Sequence, residues 1–267
     1  MRIDKPLILP ISQIVDENSR VKSFYFKYKL DAQPGQILMV WIPGFDEKPF
    51  GAVVLDKETF LISVAAVGDS TNALHAMKVG SKVGIRGPYG NSFIVPKEKG
   101  ARIALIAGGY GMVPLGSLAK TASEKGYQVD LITGARSVDQ LLLYKWLTIP
   151  RVTFHIATDD GSQGFKGFVT DLFIDYLKTN KPVKAFIVGP ELMEKKVTDT
   201  CNEAHIPFQV SLERPFKCGF GVCGQCCVDP DGLRMCIEGP VLDERQLKKV
   251  IEFGKYHRTS SGMVQEF

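Results

Sequence analysis

Five of the six cysteines lie close together near the C-terminus, and their spacing can hold an iron–sulfur cluster. Cys218, Cys223 and Cys226 form a C-x4-C-x2-C run, and Cys236 follows as a fourth thiol. This run has the plant-type ligand spacing of a 2Fe–2S cluster. Because such a cluster passes single electrons, the spacing predicts that these four thiolates ligate one 2Fe–2S cluster in an electron-transfer protein.

Glycines between the cysteines support this interpretation. They stand at Gly219, Gly221 and Gly224. Glycine adopts positive φ at little steric cost and lets backbone N–H groups come close to sulfur atoms. Hydrogen bonds from those groups stabilise the negative cluster and raise its reduction potential.

The adjacent residues Cys226 and Cys227 leave one thiol over. Cys226 completes a C-x2-C pair with Cys223, so it is the predicted ligand and Cys227 the predicted free thiol. Cys201 stands apart and is predicted to be a small buried apolar residue. Two other interpretations stay open: a structural zinc site, which usually has two separated C-x2-C-like pairs, and a disulfide framework, which suits small secreted chains.

Length and composition bound the function classes. At 267 residues the chain can hold two domains and a small appendage, and 45% hydrophobic residues support substantial cores. The net charge is only +4, without a long basic run, which argues against nucleic-acid binding. The N-terminus has no apolar leader, and no apolar run reaches about 18 residues. We therefore expect no signal peptide and no membrane span, and cysteine-ligated iron suggests a reducing cytoplasm.

Residues 1–98 have the pattern of a small antiparallel β domain. Apolar and polar residues alternate in Val21–Leu30, which places Phe24, Phe26 and Tyr28 on one face. Further strand-like runs, separated by Gly, Pro and Asp turns, are Gly35–Ile42, Phe60–Val67 and Lys82–Arg86. Several short strands with turns between them predict a small barrel or sandwich.

Residues 99–210 alternate between strand-like and helix-like patterns. Such alternation predicts a parallel sheet whose ligands bind at the carboxyl ends of the strands. Residues 211–267 contain the cysteines, a predicted helix over residues 243–254 and a polar tail. In the second domain a helix is predicted over Leu115–Glu124 and strands over Arg102–Ala107, Gln128–Thr133, Val152–Thr158 and Ala185–Val188.

A glycine-rich turn between the first strand and first helix of the second domain is a candidate dinucleotide site. Gly108, Gly109 and Gly111 would let a pyrophosphate approach the backbone and the helix N-terminus. The turn does not match G-x-G-x-x-G, and an ordinary tight turn explains the same residues. Thr158 and Asp160 follow the third strand and could reach a nicotinamide or ribose, with a plain polar turn as the alternative.

A second candidate phosphate loop precedes a short helix in the first domain. Backbone and hydroxyl donors gather there at Val67, Gly68, Ser70 and Thr71. The alternative is a helix N-cap formed by Ser70 or Thr71. The residues alone leave both interpretations open.

Together these motifs resemble the ferredoxin–NADP reductase superfamily, and within it the electron-transfer subunits of two-protein, NAD-linked dihydroorotate dehydrogenases. The resemblance implies an antiparallel FAD-binding β barrel (residues 1–98), a parallel-sheet NAD-binding α/β domain (99–210) and a small C-terminal 2Fe–2S module (211–267). Electrons would pass between NAD(H), FAD and the cluster. The resemblance spans nearly the whole chain and rests on Gly87–Phe93, Gly108–Pro114, Thr158–Ser162, Gly167–Leu172, Val188–Met193 and Cys218–Val241.

The resemblance also implies which barrel residues contact FAD. The family's Arg-Pro-x-Ser/Thr flavin motif corresponds to the segment that begins at Lys48, where lysine keeps the charge without the bidentate fork of arginine. Val188 stands where the superfamily often has cysteine, before Gly189, which is expected at the nicotinamide. The loop before the short helix, with Val67, Gly68, Ser70 and Thr71, is predicted to bound the same FAD site. The other predicted FAD contacts in the barrel are Lys48, Pro49, Phe50, Gly51, Ala52, Val53, Gly87 and Pro88.

A partner protein follows from the same resemblance. It implies an FMN-containing dihydroorotate dehydrogenase catalytic subunit, two copies of each chain, and a place in pyrimidine biosynthesis. The alternatives are an NAD(P)H-linked subunit of a cytoplasmic hydrogenase, sulfite reductase or bifurcating ferredoxin–NADP reductase, and a redox-sensing binding module without turnover. Arg136 could read a 2′-phosphate, so the choice of NAD or NADP stays open. The predicted docking surface is the flank Lys248–Phe267, with Phe253, Tyr256, Met263 and Phe267.

Overall fold

The computed structural model describes residues 3–267, with the side chains described from Lys5 onward. Its first unit is a curved antiparallel sheet of seven strands in the order β1-β7-β4-β5-β6-β3-β2, a half-barrel whose edge strands are β1 and β2. One helix, α1, lies over it. The elements are β1 (Ile3–Pro10), β2 (Gln13–Asp16), β3 (Val21–Lys27), β4 (Ile37–Trp41), β5 (Glu47–Val54), β6 (Thr59–Ala65), α1 (Asp69–Ala76) and β7 (Lys82–Tyr89).

The core of the half-barrel follows from the alternation in β3. Phe24 and Phe26 are fully buried, and Tyr28 packs against the same cluster from a partly buried position. Phe26 pairs with Phe60 across β3 and β6, and their rings stack with centroids 5.1 Å apart. The predicted β domain and its inward face are thus confirmed.

The second unit is a sheet of seven strands in the order β11-β10-β9-β8-β12-β13-β16. Every pair is parallel except β13 with β16. The predicted parallel sheet is confirmed. Its elements are β8 (Arg102–Gly108), α2 (Met112–Glu124), β9 (Gln128–Ala135), β10 (Val152–Thr158), β11 (Phe165–Lys166), α3 (Val169–Leu177), β12 (Lys184–Val188), α4 (Glu191–Glu203) and β13 (Phe208–Ser211), with short 3₁₀ turns at Gly109–Gly111, Val138–Gln140 and Lys145–Leu147.

The last segment carries the cysteines and is joined to both units. Its strand β16 completes the edge of the parallel sheet. The Asn91 side chain, from the motif after β7, donates to the carbonyls of Glu238 and Val241 at 2.9 and 2.7 Å and accepts the N–H of Val241 at 2.9 Å. The elements here are β14 (Cys227–Val228), β15 (Leu233–Arg234), β16 (Val241–Asp243), α5 (Glu244–Leu247), β17 (Tyr256–Arg258) and β18 (Val264–Glu266).

The helix predicted over residues 243–254 is wrong beyond Leu247. Asp243 caps α5 together with Gln246, but only four residues are helical, and turns follow. Tertiary contacts end the helix: Ile251 N–H donates to the carbonyl of Asp229, and Phe253 is buried. Long-range hydrogen bonding thus overrides a weak local helix preference.

Two smaller expectations concern burial and membranes. Cys201 is fully buried in the core, as predicted, and burial raises the pKa of its thiol to about 12. Between Ile3 and Phe267, no helix is long and apolar enough to cross a membrane.

Candidate functional site

The four predicted ligand cysteines come together in two pairs. The thiols of Cys218 and Cys223 share a hydrogen bond, and those of Cys226 and Cys236 share another. The Cys236 N–H also points at the sulfur of Cys226, 3.4 Å away. The pairs are close enough for Cys218 to raise the pKa of Cys236. Two pairs of thiols suit two iron atoms, each taking two protein ligands.

A single metal ion fits this arrangement less well. Among the described side chains, Lys5–Phe267, no three of His, Cys, Asp or Glu converge closely enough to hold one ion. A structural zinc site needs four ligands around one centre. A two-iron cluster instead spreads its thiolates over two metals, so the paired geometry favours iron–sulfur over zinc.

Backbone N–H groups favour the thiolate form of Cys218. Burial alone would raise the pKa of Cys218, but N–H groups of Cys223, Val222 and Phe220 point at its sulfur and lower that pKa to about 6. The Val222 N–H lies 3.4 Å from the sulfur. Because the thiolate is the form that binds metal, Cys218 is ready to ligate at neutral pH.

The pKa of the Cys236 thiol is raised rather than lowered. Burial, followed by its contacts with Cys226, raises the pKa of Cys236 to about 12. Metal binding must therefore displace its proton, since ligand cysteines bind as thiolates. Cys227 lies partly exposed on β14, and burial and then Cys226 raise its pKa. Its role as the unligated thiol stays a prediction.

Two of the glycines fix the loop by close approach. Gly219 has φ +79°, and a Cβ there would lie 3.0 Å from the ring of Tyr89. Gly221 has φ +83°, and its Cβ would lie 2.7 Å from Ile237. Other residues seldom adopt this left-handed backbone. A side chain at Gly219 would push the loop off the half-barrel, and one at Gly221 would push it away from Ile237 in the same segment.

A cavity of about 350 Å³ lies between the half-barrel, the start of α2 and the chain leading to the cysteines. Five of the predicted FAD contacts line it: Pro49, Phe50, Gly51, Val67 and Thr71. Across the cavity, Val113 approaches within 4.0 Å of a Cβ built on Gly51. Tyr110, Val188 and the segment from Ser211 to Phe216 complete the walls.

The other predicted FAD contacts do not line the cavity. Lys48 is ion-paired with Asp46 at 2.8 Å, and Ser70 donates to the same carboxylate at 2.7 Å. Gly68 is the N-cap of α1, and the Thr71 hydroxyl accepts its N–H. Buried positions in the barrel, away from the lining, are held by Ala52 and Val53. Gly87 and Pro88 lie in β7 next to Ile37, which lines the cavity, but they do not line it themselves.

The predicted nucleotide residues gather at the carboxyl edge of the parallel sheet. Gly108 and Gly189 touch, since a Cβ on Gly189 would lie 3.0 Å from the Cα of Gly108. A Cβ on Gly111 would lie 2.1 Å from the Val188 carbonyl oxygen, so this glycine is required by packing. Gly109 has φ +52° and open space beside it. Of the three turn glycines, Gly109 therefore suits a ligand best.

The polar residues after β10 hold their own loop. The Thr158 hydroxyl donates to the Gln163 carbonyl and accepts the Gln163 N–H, at 2.8 and 2.9 Å. Asp160 accepts the N–H and the hydroxyl of Ser162, and these contacts lower its pKa. These hydrogen bonds stay within the loop, as expected for a plain polar turn, which was the alternative to a nicotinamide or ribose contact.

Residues that sequence reasoning missed lie just before the cysteines. Glu213 and Arg214 line both the first cavity and a second one of about 500 Å³, which Gly189, His257 and Phe267 also line. Glu213 keeps accessible surface toward the cavities, while the surrounding protein raises the pKa of its carboxyl. A charged pair following a strand is common, so the sequence carried no specific signal for them.

Arg214 joins three parts of the chain through a buried ion-pair network. It contacts Glu191 at the start of α4 and Glu252 beyond the cysteines, both at 2.7 Å. Glu252 in turn accepts the N–H of Asp229 in the cysteine-rich segment at 3.0 Å. The network therefore fixes the cysteine-rich segment against the nucleotide edge of the sheet.

Comparison with known proteins supports the reading of the cysteines. The sequence model of a family described as the iron-sulfur cluster binding domain of dihydroorotate dehydrogenase B matches residues 213–248. A protein of Methanocaldococcus jannaschii, named probable dihydroorotate dehydrogenase B (NAD(+)), electron transfer subunit, is 44% identical over 261 residues, covering 97% of this chain and 98% of that protein. A Pyrococcus horikoshii protein of the same name is 42% identical, covering 92% of each.

Solved structures extend the comparison to the fold. The structure of an NADH-dependent reduced ferredoxin-NADP oxidoreductase, described for flavin-based electron bifurcation, aligns with TM-score 0.78 and 26% identity. It covers 92% of this chain and 94% of that one. The FAD/NAD binding domain of a Vibrio cholerae nitric oxide dioxygenase aligns with TM-score 0.65 over 76% of this chain and 97% of that one, at 19% identity. The latter likeness shows the fold alone.

Proposed function

This chain belongs to the electron-transfer subunits of NAD-linked dihydroorotate dehydrogenase B, and from that premise we propose its electron route. Electrons pass between a dihydroorotate-oxidising partner and NAD through a 2Fe–2S cluster and FAD held by this chain. The cluster ligands are Cys218, Cys223, Cys226 and Cys236. Dihydroorotate oxidation takes place on the partner.

One observation carries this proposal: the cavity of about 350 Å³ and the cysteine-rich segment adjoin along the chain. Phe216 lines the cavity, and Cys218 follows two residues later. Two residues of extended chain span at most about 7 Å. Because the cavity also reaches Tyr110 and Val188 at the nucleotide edge, one continuous path joins the nucleotide site, the cavity and the cluster.

The residues around the cavity fit FAD. Gly51 of the half-barrel and Val113 of α2 line the cavity from the two units, while Val67 and Thr71 line it at the start of α1. A bound flavin supplies the chemistry that converts a two-electron hydride into single electrons for a cluster. The residues that would hold the group include Tyr110 and the segment Ser211–Phe216, which line the same cavity.

A variant of the cavity tests the flavin. Gly51→Leu adds a side chain opposite Val113, so we expect the purified protein to lose most of its FAD. Val54→Leu lies on the same strand away from the lining and serves as the matched control. Chromatography of flavin released by denaturation measures both. Release of FMN from the unsubstituted protein, or no flavin at all, would rule the assignment out.

The partner surface is proposed on the exposed side of the cysteine loop. Phe220, Val222 and Ile237 are exposed apolar residues beside the ligands, with Val222 78% exposed. In the flank predicted from sequence, Met263 and Phe267 are exposed, whereas Phe253 is buried and belongs to the core. An exposed apolar patch at a redox centre suits protein docking.

The composition of the complex goes beyond the comparisons. We infer that the partner carries FMN and that two copies of each chain assemble, placing the complex in pyrimidine biosynthesis. We also infer a cytoplasmic location, because thiolate ligands persist in a reducing compartment.

A subunit of a bifurcating ferredoxin–NADP reductase is the second candidate. The structural match with TM-score 0.78 favours it. The full-length relatives at 44% and 42% identity are closer in sequence than that structure at 26%, so the dihydroorotate dehydrogenase assignment takes precedence.

A further inference from the structure

Arg86 joins the half-barrel to the cysteine loop. It lies on β7 and is only 7% exposed. Its Nη1 donates to the backbone carbonyl oxygen of Cys218 at 3.1 Å and to the Tyr89 hydroxyl at 3.0 Å. The half-barrel thus holds the backbone of the first ligand cysteine through a buried cation.

Glu47 fixes the other side of the guanidinium. Its Oε1 accepts Nε of Arg86 at 2.8 Å, and its Oε2 accepts Nη2. The guanidinium carbon also lies 5.7 Å from the ring centroids of Tyr89 and of Phe220, the latter within the cysteine loop. A planar fork held on both sides has little freedom, and lysine would not reproduce these contacts.

This placement has an electrostatic consequence. The reduction potential of an iron–sulfur cluster depends on nearby charge, hydrogen bonding and exposure. Arg86 is the member of the ion pair that contacts the cysteine loop, because its guanidinium donates to the carbonyl of Cys218. The cation favours the added electron of the reduced cluster, and Glu47 partly offsets it.

We propose that Arg86 is a positioning residue that holds Cys218 and, together with Glu47, sets the reduction potential of the cluster. The inference rests on the proposed function, since it requires the cluster. It assigns Arg86 no contact with a substrate and no part in proton transfer.

Glu47→Gln and Arg86→Gln should move the potential in opposite directions. Removing the carboxylate leaves the cation uncompensated and should raise the potential. Removing the guanidinium should lower it. A charge this close to the cluster changes the equilibrium between its oxidised and reduced forms by about tenfold or more. For a one-electron couple, a tenfold change is about 59 mV.

Anaerobic redox titration followed by electron paramagnetic resonance of the reduced cluster measures the potential in the FAD-loaded protein. Iron and sulfide are counted in each variant. Lys178→Gln removes an exposed cation paired with Asp175 on α3 and should leave the potential unchanged. If Arg86→Gln assembles no cluster, the positioning role is supported, and Glu47→Gln and Arg86→Lys decide the electrostatic role.

The outcomes separate this inference from the proposed function. Unsubstituted protein without two irons and two sulfides per chain would contradict the proposed function itself. Fully loaded Glu47→Gln and Arg86→Gln with the potential of the unsubstituted protein would overturn the inference alone.

Discussion

Replacing Cys218, Cys223, Cys226 or Cys236 by Ala is expected to abolish the visible absorbance of the cluster, whereas Cys227→Ala should retain it. Each of the four thiols belongs to one of two pairs that suit the two irons, so losing one leaves an iron without its ligand. Cys227 lies outside both pairs. Absorbance spectra and iron analysis of the purified variants measure the effect.

The Cys227 variant is the matched control, because it removes an adjacent thiol from the same segment. FAD content should stay unchanged in all five variants, since none of these cysteines lines the flavin cavity. Metal analysis of the unsubstituted protein that finds one zinc and no iron would contradict the cluster assignment.

Gly111→Ala is expected to destabilise the protein by about 3 kcal/mol or more, because overpacking in a fixed region has a cost of this order. The added Cβ would lie 2.1 Å from the carbonyl oxygen of Val188, the last residue of the interior strand β12. To relieve that clash, α2 must move away from the sheet. Val113 on α2 lines the flavin cavity, so FAD affinity should fall as well.

Denaturant unfolding of the unsubstituted protein and of Gly111→Ala measures the change in the free energy of unfolding. Gly109→Ala is the comparison variant. Gly109 lies in the same turn at φ +52° with open space around it, so alanine there meets only backbone strain, about 1–2 kcal/mol. Equal stability losses for both variants would contradict the steric explanation.

The cysteine spacing predicted an iron–sulfur segment, which the family match over residues 213–248 confirms, because the ligand spacing is a local signal. Which thiols ligate the cluster stays a prediction. The β domain and the parallel sheet were also predictable, since alternation and apolar runs are local signals. The helix over residues 243–254 failed beyond Leu247 because long-range contacts of Ile251 and Phe253 decide that region. Such long-range contacts leave no pattern in the local sequence.

The cofactor sites were predictable only in part. The glycines after β8 look alike in sequence, yet Gly111 serves packing and Gly109 faces open space. Arg86, Glu213 and Arg214 were missed because their partners lie far away in the chain: Arg86 contacts Glu47 and Cys218. Sequence spacing reveals residues that act together only when they are also neighbours in the chain.

The most direct test of the account is coupled electron transfer in the assembled complex. The chain is purified together with a dihydroorotate dehydrogenase catalytic subunit, and NADH formation is followed anaerobically after dihydroorotate is added. We expect NADH from the complex but from neither protein alone, and no NADH when the chain carries Cys223→Ala, although dihydroorotate oxidation with an artificial acceptor continues. Undiminished NADH formation with the Cys223→Ala chain, or failure of the unsubstituted chain to join the catalytic subunit, would contradict the account.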